Sequence, residues 1–364
     1  MSVTLERPVE TGLLRFLALD LTRTCQAQCT HCYNQSSPSG THGEMTREDW
    51  LSLLDQAAAA GVTQVQFIGG EPTLHPDIAD LINKAVEHAM AVEVFSNLIH
   101  VRATLWPVLR QRGVTLATSY YSDQAAEHEA VTAHRGSYAK TKANITKALA
   151  YGIPLRAAIV DVREGQRIDQ AITELREMGV QRIRTDRLRK IGRGDNTGQD
   201  THEITELCGH CAKGRAAVLP DGSVAGCVMS GGMMTTGSVR TTPLAEIVTS
   251  PEWDALAASI PQPRGGTHGG CTPDEDSCQP SPGATELAST GHTTACGPDS
   301  CQPVDEVRCQ PGWCPPFGDK CGPFGNEVTS GRELVGVPFT TACNPDKDGN
   351  DCAPAETEAC GPSY

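Results

Sequence analysis

No stretch of this 364-residue sequence approaches the roughly 18 to 20 consecutive apolar residues needed to cross a bilayer, which excludes a membrane span. Positive charge is also scarce: 30 Lys and Arg stand against 44 Asp and Glu, a formal net charge of -14. That balance disfavours a general affinity for phosphate backbones, so neither nucleic acid nor membrane is expected as a partner. The opening residues, MSVTLERPVETGLLRF, lack both a long apolar core and a small-residue cleavage site. No secretory signal is read there, and a cytoplasmic location is expected. Disulfides are disfavoured in that reducing compartment, so the 16 cysteines are expected to serve as ligands to metal or to clusters. The length exceeds what one hydrophobic core usually fills and implies one large domain with a smaller appendage.

Composition shifts near residue 205. Residues 1–205 carry 22 basic and 24 acidic side chains and 206–364 carry 8 and 20, so the net negative charge lies almost wholly in the second part. Thirteen of the 16 cysteines lie from Cys208 onward, and fifteen of the 24 prolines from Pro261 onward. The first part alternates short apolar strands with amphipathic helices, the pattern of a parallel sheet wrapped by crossover helices. Strands are expected at Leu14 to Asp20, Val62 to Ile68, Val92 to Ser96, Thr115 to Tyr120, Leu155 to Val162 and Gln181 to Thr185, each with its crossover helix. Thr46 and Asp49 resemble a capping box ahead of Trp50, Leu53, Leu54 and Ala57 at helical spacing. Further helical stripes run over Ile78 to His88, Lys140 to Tyr151 and Ile168 to Met178.

A closed eight-stranded barrel needs about 250 residues, so six strands in about 190 predict an open α/β architecture, a partial (β/α)6 TIM-like barrel whose open side something else must cover. The expected boundaries are a lead-in over 1–13, the barrel over 14–205, a hairpin and helix over 206–260, and a cysteine-rich, loop-rich tail over 261–364. The tail sustains neither helix nor strand period and offers few large apolar side chains, a composition that tends toward disorder unless cross-linked. A weak repeat runs through it, from Cys271-Thr-Pro273-Asp274 to Cys278-Gln-Pro280, from Cys296-Gly-Pro298-Asp299 to Cys301-Gln-Pro303, and from Cys343-Asn-Pro345-Asp346 to Cys352-Ala-Pro354. Each unit reads as a turn bracketed by cysteines.

The first strand leads into Cys25, Cys29 and Cys32 within TCQAQCTHCYN. Three closely spaced thiolates can hold three irons of a cubane 4Fe-4S cluster, and the loop has no fourth cysteine, so one iron is left open for a substrate or cosubstrate. A zinc site or buried thiols are the alternatives, although zinc prefers four ligands. At the end of the second strand stand Gly69, Gly70, Glu71 and Pro72, in QFIGGEPTLHPD. Glycines there allow close backbone approach, and a carboxylate with exposed carbonyls can accept hydrogen bonds from an ammonium.

These residues resemble the radical SAM superfamily, whose signature is Cys-x3-Cys-x-aromatic-Cys, with His31 at the aromatic position and Gly69 to Pro72 matching the motif that grips the amino group of S-adenosylmethionine. The resemblance implies a one-electron reduction at the cluster, cleavage of a C–S bond, and a 5'-deoxyadenosyl radical that abstracts hydrogen from a substrate. It also implies further cofactor contacts: Ser96 and Asn97 at the ribose, Ser119 at another cofactor group, Arg135 near the cofactor carboxylate, and Leu188 on adenine. Barrel enzymes hold such chemistry at the C-terminal ends of their strands, where these motifs fall.

Past the barrel, Pro220-Asp221-Gly222 joins Ala216 to Leu219 with Ser223 to Cys227 as a hairpin that would bring Cys208 or Cys211 close to Cys227. This resembles the opening of a SPASM domain, which ligates an auxiliary 4Fe-4S cluster, and Leu244, Ile247 and Trp253 fit as its helix anchors; a simple zinc hairpin is the alternative. The usual Cys-x2-Cys-x5-Cys-x3-Cys continuation is absent. Candidate ligands for one or two auxiliary clusters are therefore Cys208, Cys211 and Cys227 with the tail's Cys271, Cys278, Cys296, Cys301, Cys309, Cys314, Cys321 and Cys343. A spare thiol could return a hydrogen atom to a substrate radical.

Two features take plainer readings. Asn344 to Gly349 begins like a calcium loop, but position twelve is Ala355 rather than Glu, which argues against an EF-hand. His128, His134 and His202 are read as surface or hydrogen-bonded residues, since no second histidine stands at metal-pair spacing. The resemblance implies an enzyme that cross-links or epimerises a ribosomally made precursor peptide. With the first strand beginning near Leu14, leader binding is expected to fall to the tail or to a separate protein, and electrons to a flavodoxin or ferredoxin-type donor. Oxidation of a small alcohol or of a sulfatase side chain fits the same cofactors, and a non-catalytic iron-sulfur scaffold or electron-transfer protein is the alternative of another class.

Overall fold

The computed structural model describes residues 14–195 and 203–261, together with the backbone of a two-stranded antiparallel ribbon, Asn344–Pro345 with Cys352–Ala353. The chain divides into two units, Met1–Leu287 and Ala288–Tyr364. The ribbon lies within the third cysteine-bracketed turn of the tail; the remainder of that repeat, the calcium-like loop apart from the ribbon backbone, and His202 lie outside the described residues.

Six parallel strands form the barrel wall in chain order: β1 (Phe16–Asp20), β2 (Gln64–Ile68), β3 (Ala91–Phe95), β4 (Val114–Ser119), β5 (Leu155–Asp161) and β6 (Arg182–Arg187). All six expected strands are present with shifts of a few residues at their ends. The helices are α1 (Arg47–Ala59), α2 (Ile78–Glu87), α3 (Trp106–Leu109), α4 (Ala125–Thr132), α5 (Ser137–Ala150) and α6 (Ile168–Glu177). The crossover between β3 and β4 departs from expectation, for its helix is four residues long and carries proline in its first turn. The chain there has no sustained helical period, and its apolar residues Leu105, Trp106 and Leu109 are buried without a full amphipathic helix.

Alternation along the strands separates two faces, because successive side chains point to opposite sides of a sheet. Leu17, Leu19, Val65, Phe67, Val92, Val94 and Leu116 pack outward against Trp50, Leu53 and Leu54 of α1 and Ile78, Leu81 and Ile82 of α2. The α1 start is held by a reciprocal cap: Asp49 N–H donates to Thr46 Oγ1 at 3.1 Å and Thr46 N–H to Asp49 Oδ2 at 2.9 Å. The inner residues are mixed. Gln66, Glu93 and Arg156 form a buried polar group in which Arg156 donates twice to Glu93, both at 2.8 Å, and stacks over Phe95 at 5.1 Å.

The sheet does not stop at the barrel. After residue 203 the chain returns as β7 (Arg215–Val218), which pairs in parallel with β1, and continues into β8 (Ser223–Ala225) and β9 (Thr236–Ser238), both antiparallel to their neighbours. The result is one nine-stranded sheet in the order β6-β5-β4-β3-β2-β1-β7-β8-β9, followed by α7 (Leu244–Ile247) and α8 (Pro251–Ser259). The composition shift near residue 205 therefore falls inside a continuous sheet. The expected hairpin exists, and its first strand is also the new neighbour of β1. Leu244, Ile247 and Trp253 are buried in the same core as the barrel helices. Among the described residues no helix is long and apolar enough to cross a membrane.

Replacing Glu93 with Ala strips the carboxylate from a guanidinium whose side chain is only 3% exposed. The expected cost is about 3–5 kcal/mol of unfolding free energy, read as a lower urea midpoint with an unchanged slope.

Candidate active site

β1 ends at Asp20 and releases a loop that carries Cys25, Cys29 and Cys32 outside regular helix or strand. Its backbone groups find partners on three sides. Cys25 N–H donates to Ser37 at 3.0 Å, and Gln28 and Thr30 donate to the carbonyls of Thr132 and Val131, at the end of α4, at 3.0 and 2.9 Å. From β2, Gly70 N–H donates to the Thr22 carbonyl at 2.7 Å and Glu71 N–H to that of Thr24 at 2.9 Å. A Cβ on Gly70 would sit 2.4 Å from the Thr24 carbonyl oxygen, so glycine is required by the approach of two backbones. The third side is the turn after β6. Gly192, at φ +58, leaves no room for a Cβ, which would fall 2.4 Å from Tyr33 O and 2.5 Å from Cys32 O. Arg193 then donates its N–H to Cys32 at 3.0 Å, Nε to the Cys29 carbonyl at 2.7 Å and a terminal nitrogen to the Ser36 carbonyl at 2.8 Å.

The loop borders a cavity of about 280 Å3 at the C-terminal ends of the barrel strands. Cys25, Cys29, Cys32 and His31 line it from the loop, Gly69 and Gly70 from β2, Asn97 and Ser119 from the ends of β3 and β4, and Leu188 from the end of β6. Asn97 also bridges inward: its Nδ2 donates to Cys25 Sγ at 3.5 Å, and its Oδ1 accepts from Gln26 at 2.9 Å.

The remaining expected cofactor contacts lie elsewhere. Glu71 is fully buried behind the lining, where Oε1 accepts from Thr73 N–H (3.0 Å), Thr73 Oγ1 (2.7 Å) and Ser96 Oγ (2.7 Å) and Oε2 from Asn97 N–H (2.8 Å). Burial pushes its pKa up while these donors oppose the rise. Its carboxylate thus joins the ends of β2 and β3, with Ser96 one of its donors and Pro72 the buried start of the following turn. Arg135 is exposed between α4 and α5 and does not line the cavity.

Burial pushes the thiols of Cys25 and Cys29 up to about 12, for Cys25 with the nearby Glu71 carboxylate adding to the rise and for Cys29 with the neighbouring Cys32 doing so. Thiolates there call for a compensating positive charge, which bound iron supplies. Among the described residues no three His, Cys, Asp or Glu side chains converge on one point as a single ion would require. Three thiols on one short loop at the border of the cavity could each supply a sulfur to a different iron of a cluster.

A second cysteine set reaches the same cavity. Cys208 and Cys227 line it, and Cys211 is fully buried behind, its Sγ 2.9 Å from that of Cys227. Gly226 makes the approach possible, since a Cβ there would lie 3.0 Å from Cys211 Cβ. Cys271, Cys278, Cys296, Cys301, Cys309, Cys314, Cys321 and Cys343 lie outside the described residues.

Several residues of the site escape a motif reading. Gly192 and Arg193 belong to an ordinary-looking turn, and only their position after the sixth strand could have marked them. Tyr121 and Tyr33 line the cavity without belonging to any motif. His128 is a correction: it is 1% exposed, lines the cavity, and makes edge contacts with Tyr120, Tyr121 and Tyr138 at 5.1, 5.4 and 5.8 Å. Its α4 position turns it inward among two tyrosines just past β4 and one in α5, a proximity that sequence spacing does not encode. His134 is hydrogen-bonded, to the Gln26 carbonyl at 2.9 Å.

Comparison with known proteins agrees with this geometry. Residues 19–164 match the profile of the Radical SAM superfamily, and residues 208–272 that of SPASM, an iron-sulfur cluster-binding domain. A PqqA peptide cyclase of Xanthomonas campestris pv. campestris (strain B100) is 34% identical over 173 residues, 45% of this chain and 44% of that protein. One from Streptomyces rochei is 30% identical over 173 residues, 46% of each. The chain thus spans less than half the length of these relatives. Among solved structures, Streptococcus suis SuiB bound to precursor peptide SuiA superposes with a TM-score of 0.58 at 14% identity, over 68% of this chain and 67% of that one. anSMEcpe with bound AdoMet and Cp18Cys peptide gives 0.53 at 12%, over 66% and 81%. These structural likenesses show a shared fold.

Gly192→Ala tests the backbone clamp. A methyl group at that strained position is expected to cost about 1–3 kcal/mol and to lower the iron bound per chain after anaerobic reconstitution, measured by colorimetric iron assay.

Proposed function

We propose, for a chain that belongs to the radical SAM superfamily and carries a SPASM-type iron-sulfur domain, that it abstracts hydrogen from a ribosomally synthesised peptide and thereby cross-links it or inverts a stereocentre. The observation that carries this reading is the single cavity onto which the three-thiol loop, the strand ends and two cysteines of the second set all open. When bound, a 4Fe-4S cluster and S-adenosylmethionine supply one-electron cleavage to a 5'-deoxyadenosyl radical. Cys25, Cys29 and Cys32 are the three ligands of that cluster. Asn97 and Ser119 offer polar contacts at the strand ends, Leu188 an apolar surface, and the Gly69–Gly70 backbone a close flank for the cofactor.

The chain's own task is to position and to exclude water. Phe16, Ala18, Ile68, Phe95 and Val160 give part of the inner wall an apolar lining, while Gln66, the paired Arg156, and Asp186 and Arg189, paired to each other, give it charged and polar groups. A closed wall of this kind keeps stray hydrogen-atom donors and oxidants in solution from a reactive radical. Cys208, Cys211 and Cys227 hold an auxiliary cluster, with Cys271 inside the matched SPASM region and the later tail cysteines available for a second. The peptide as substrate is supported by what the relatives' names state, a peptide cyclase in one set and a precursor-peptide complex in the other. A separate leader-binding protein and a flavodoxin or ferredoxin-type donor belong to the same proposal.

The test is anaerobic reconstitution with S-adenosylmethionine and a reductant. The expected outcome is 5'-deoxyadenosine formation that falls to background when Cys25, Cys29 and Cys32 are all changed to Ala. With the peptide encoded beside the gene, mass spectrometry distinguishes a cross-link, which loses two hydrogens, from epimerisation, which takes up one deuterium from heavy water. No deuterium uptake and no mass change on any peptide, with dehydrogenation of a small alcohol instead, would overturn the peptide assignment.

A further inference from the structure

Six of the chain's 30 basic residues, Arg182, Arg184, Arg187, Arg189, Lys190 and Arg193, fall within positions 182–193, where Asp186 is the one acidic residue. In a chain of net charge -14 such a concentration of cations stands against its surroundings. It begins in β6, the end strand of the sheet, which among the described residues pairs only with β5.

Register decides which way β6 faces. Arg156, Ala158 and Val160 of β5 line the cavity, and they stand beside Arg182, Arg184 and Asp186 of β6. Residues in register on neighbouring strands share a face, so these three belong to the inner wall. Asp186 is buried there, whereas Arg182 and Arg184 are exposed at the edge of the sheet. The cavity itself is lined by five arginines, Arg156, Arg187, Arg189, Arg193 and Arg215, against one carboxylate, Asp186. Ion pairs absorb three of the five: Arg156 with Glu93 at 2.8 Å, Arg187 with Glu206 at 2.6 Å and Arg189 with Asp186 at 3.2 Å. Arg193 is given over to the Cys29 and Ser36 carbonyls, which directs its charge at the thiol loop. Arg184 makes no ion pair among the described residues, so its guanidinium is a cation on the inner wall that the fold does not consume.

Resting on the reading of the substrate as a peptide, we propose that the peptide is an acidic one, and that Arg184 is a specificity-determining residue that recognises Asp or Glu side chains of the segment entering the cavity at the edge of β6. A guanidinium takes a carboxylate through two parallel N–H to O bonds, which fixes orientation as well as charge. The acidic remainder of the chain holds an anionic segment off, while the basic edge draws it in, so the same field that rejects such a peptide elsewhere guides it to this one place. The strand then leads directly into Leu188 and Arg189 on the cavity border, which brings a segment held at Arg184 alongside the reacting space.

The test is fluorescence anisotropy on the full-length protein with three short labelled probes of alternating Gly-Glu, Gly-Gln and Gly-Lys. The wild type is expected to bind the Gly-Glu probe about tenfold more tightly than either of the others, with an affinity that falls as salt is raised. Arg184→Glu is expected to weaken that binding about tenfold, and Arg184→Lys to weaken it less, since it keeps the charge without the paired donors. Arg112→Glu makes the same charge change in an exposed turn ahead of β4 and is expected to leave binding unchanged. Equal binding of the Gly-Glu and Gly-Gln probes, or equal weakening by Arg184→Glu and Arg112→Glu, overturns the proposal. With the peptide encoded beside the gene, changing its Asp and Glu residues near the modified position to Asn and Gln is expected to raise KM about tenfold while kcat is kept. A peptide modified equally well without those carboxylates overturns this proposal and leaves the peptide reading standing, whereas a chain that oxidises a small alcohol and modifies no peptide overturns that reading and this proposal with it.

Discussion

The site depends on backbone hydrogen bonds lent to an irregular loop by its neighbours. A segment outside helix and sheet must still satisfy those amides and carbonyls that are kept from water, and the half-buried loop from Thr22 to Cys32 does so from the β2 turn, the end of α4 and the turn after β6. The first and last of those three anchors, Gly70 and Arg193, are more than a hundred residues apart, so the spacing of the thiols is a property of the assembled barrel. The glycines at the contacts are there because two backbones touch, and the Gly69–Gly70–Glu71 stretch serves the loop directly. Glu71 carries this furthest, with both carboxylate oxygens engaged by the chain's own donors.

The two faces of the sheet divide stability from chemistry. Outward residues bury in one apolar core with the helices. Inward residues line a space where apolar side chains alternate with charged ones held in ion pairs, as Arg156 is to Glu93 and Arg189 to Asp186. The low polarity that destabilises unpaired thiolates at Cys25 and Cys29 is the same property that strengthens each electrostatic contact to whatever charge they bind. A loop of thiols in such a setting favours a bound cationic cluster over ionised sulfur alone.

The extension of the sheet by β7 gives the second cysteine set its place. Parallel pairing with β1 sets Ala216 beside Leu17 and Ala217 beside Ala18, and the hairpin that follows carries Cys227 to the rim of the cavity already bordered by the first loop. The two sets thus share a wall built from adjacent strands. A substrate lying in that cavity would have the three-thiol loop and Cys208 and Cys227 on its borders.

Local pattern was enough for much of this. Strand alternation and helical spacing are written into neighbouring residues, so the six barrel strands, the Thr46–Asp49 cap and the hairpin at Pro220–Gly222 could be read directly, and the three cysteines and two glycines stood out by type and interval. What required the tertiary structure were relations between residues distant in sequence. The parallel docking of β7 on β1, the inward turn of His128, the retreat of Glu71 and Ser96 behind the lining, the exposure of Arg135, and the convergence of Arg193 and Tyr121 on the cysteine loop all depend on which strand ends meet. Periodicity fixes which way a side chain faces within its own element, while its partners are chosen only when the sheet is assembled and buried polar groups must find them.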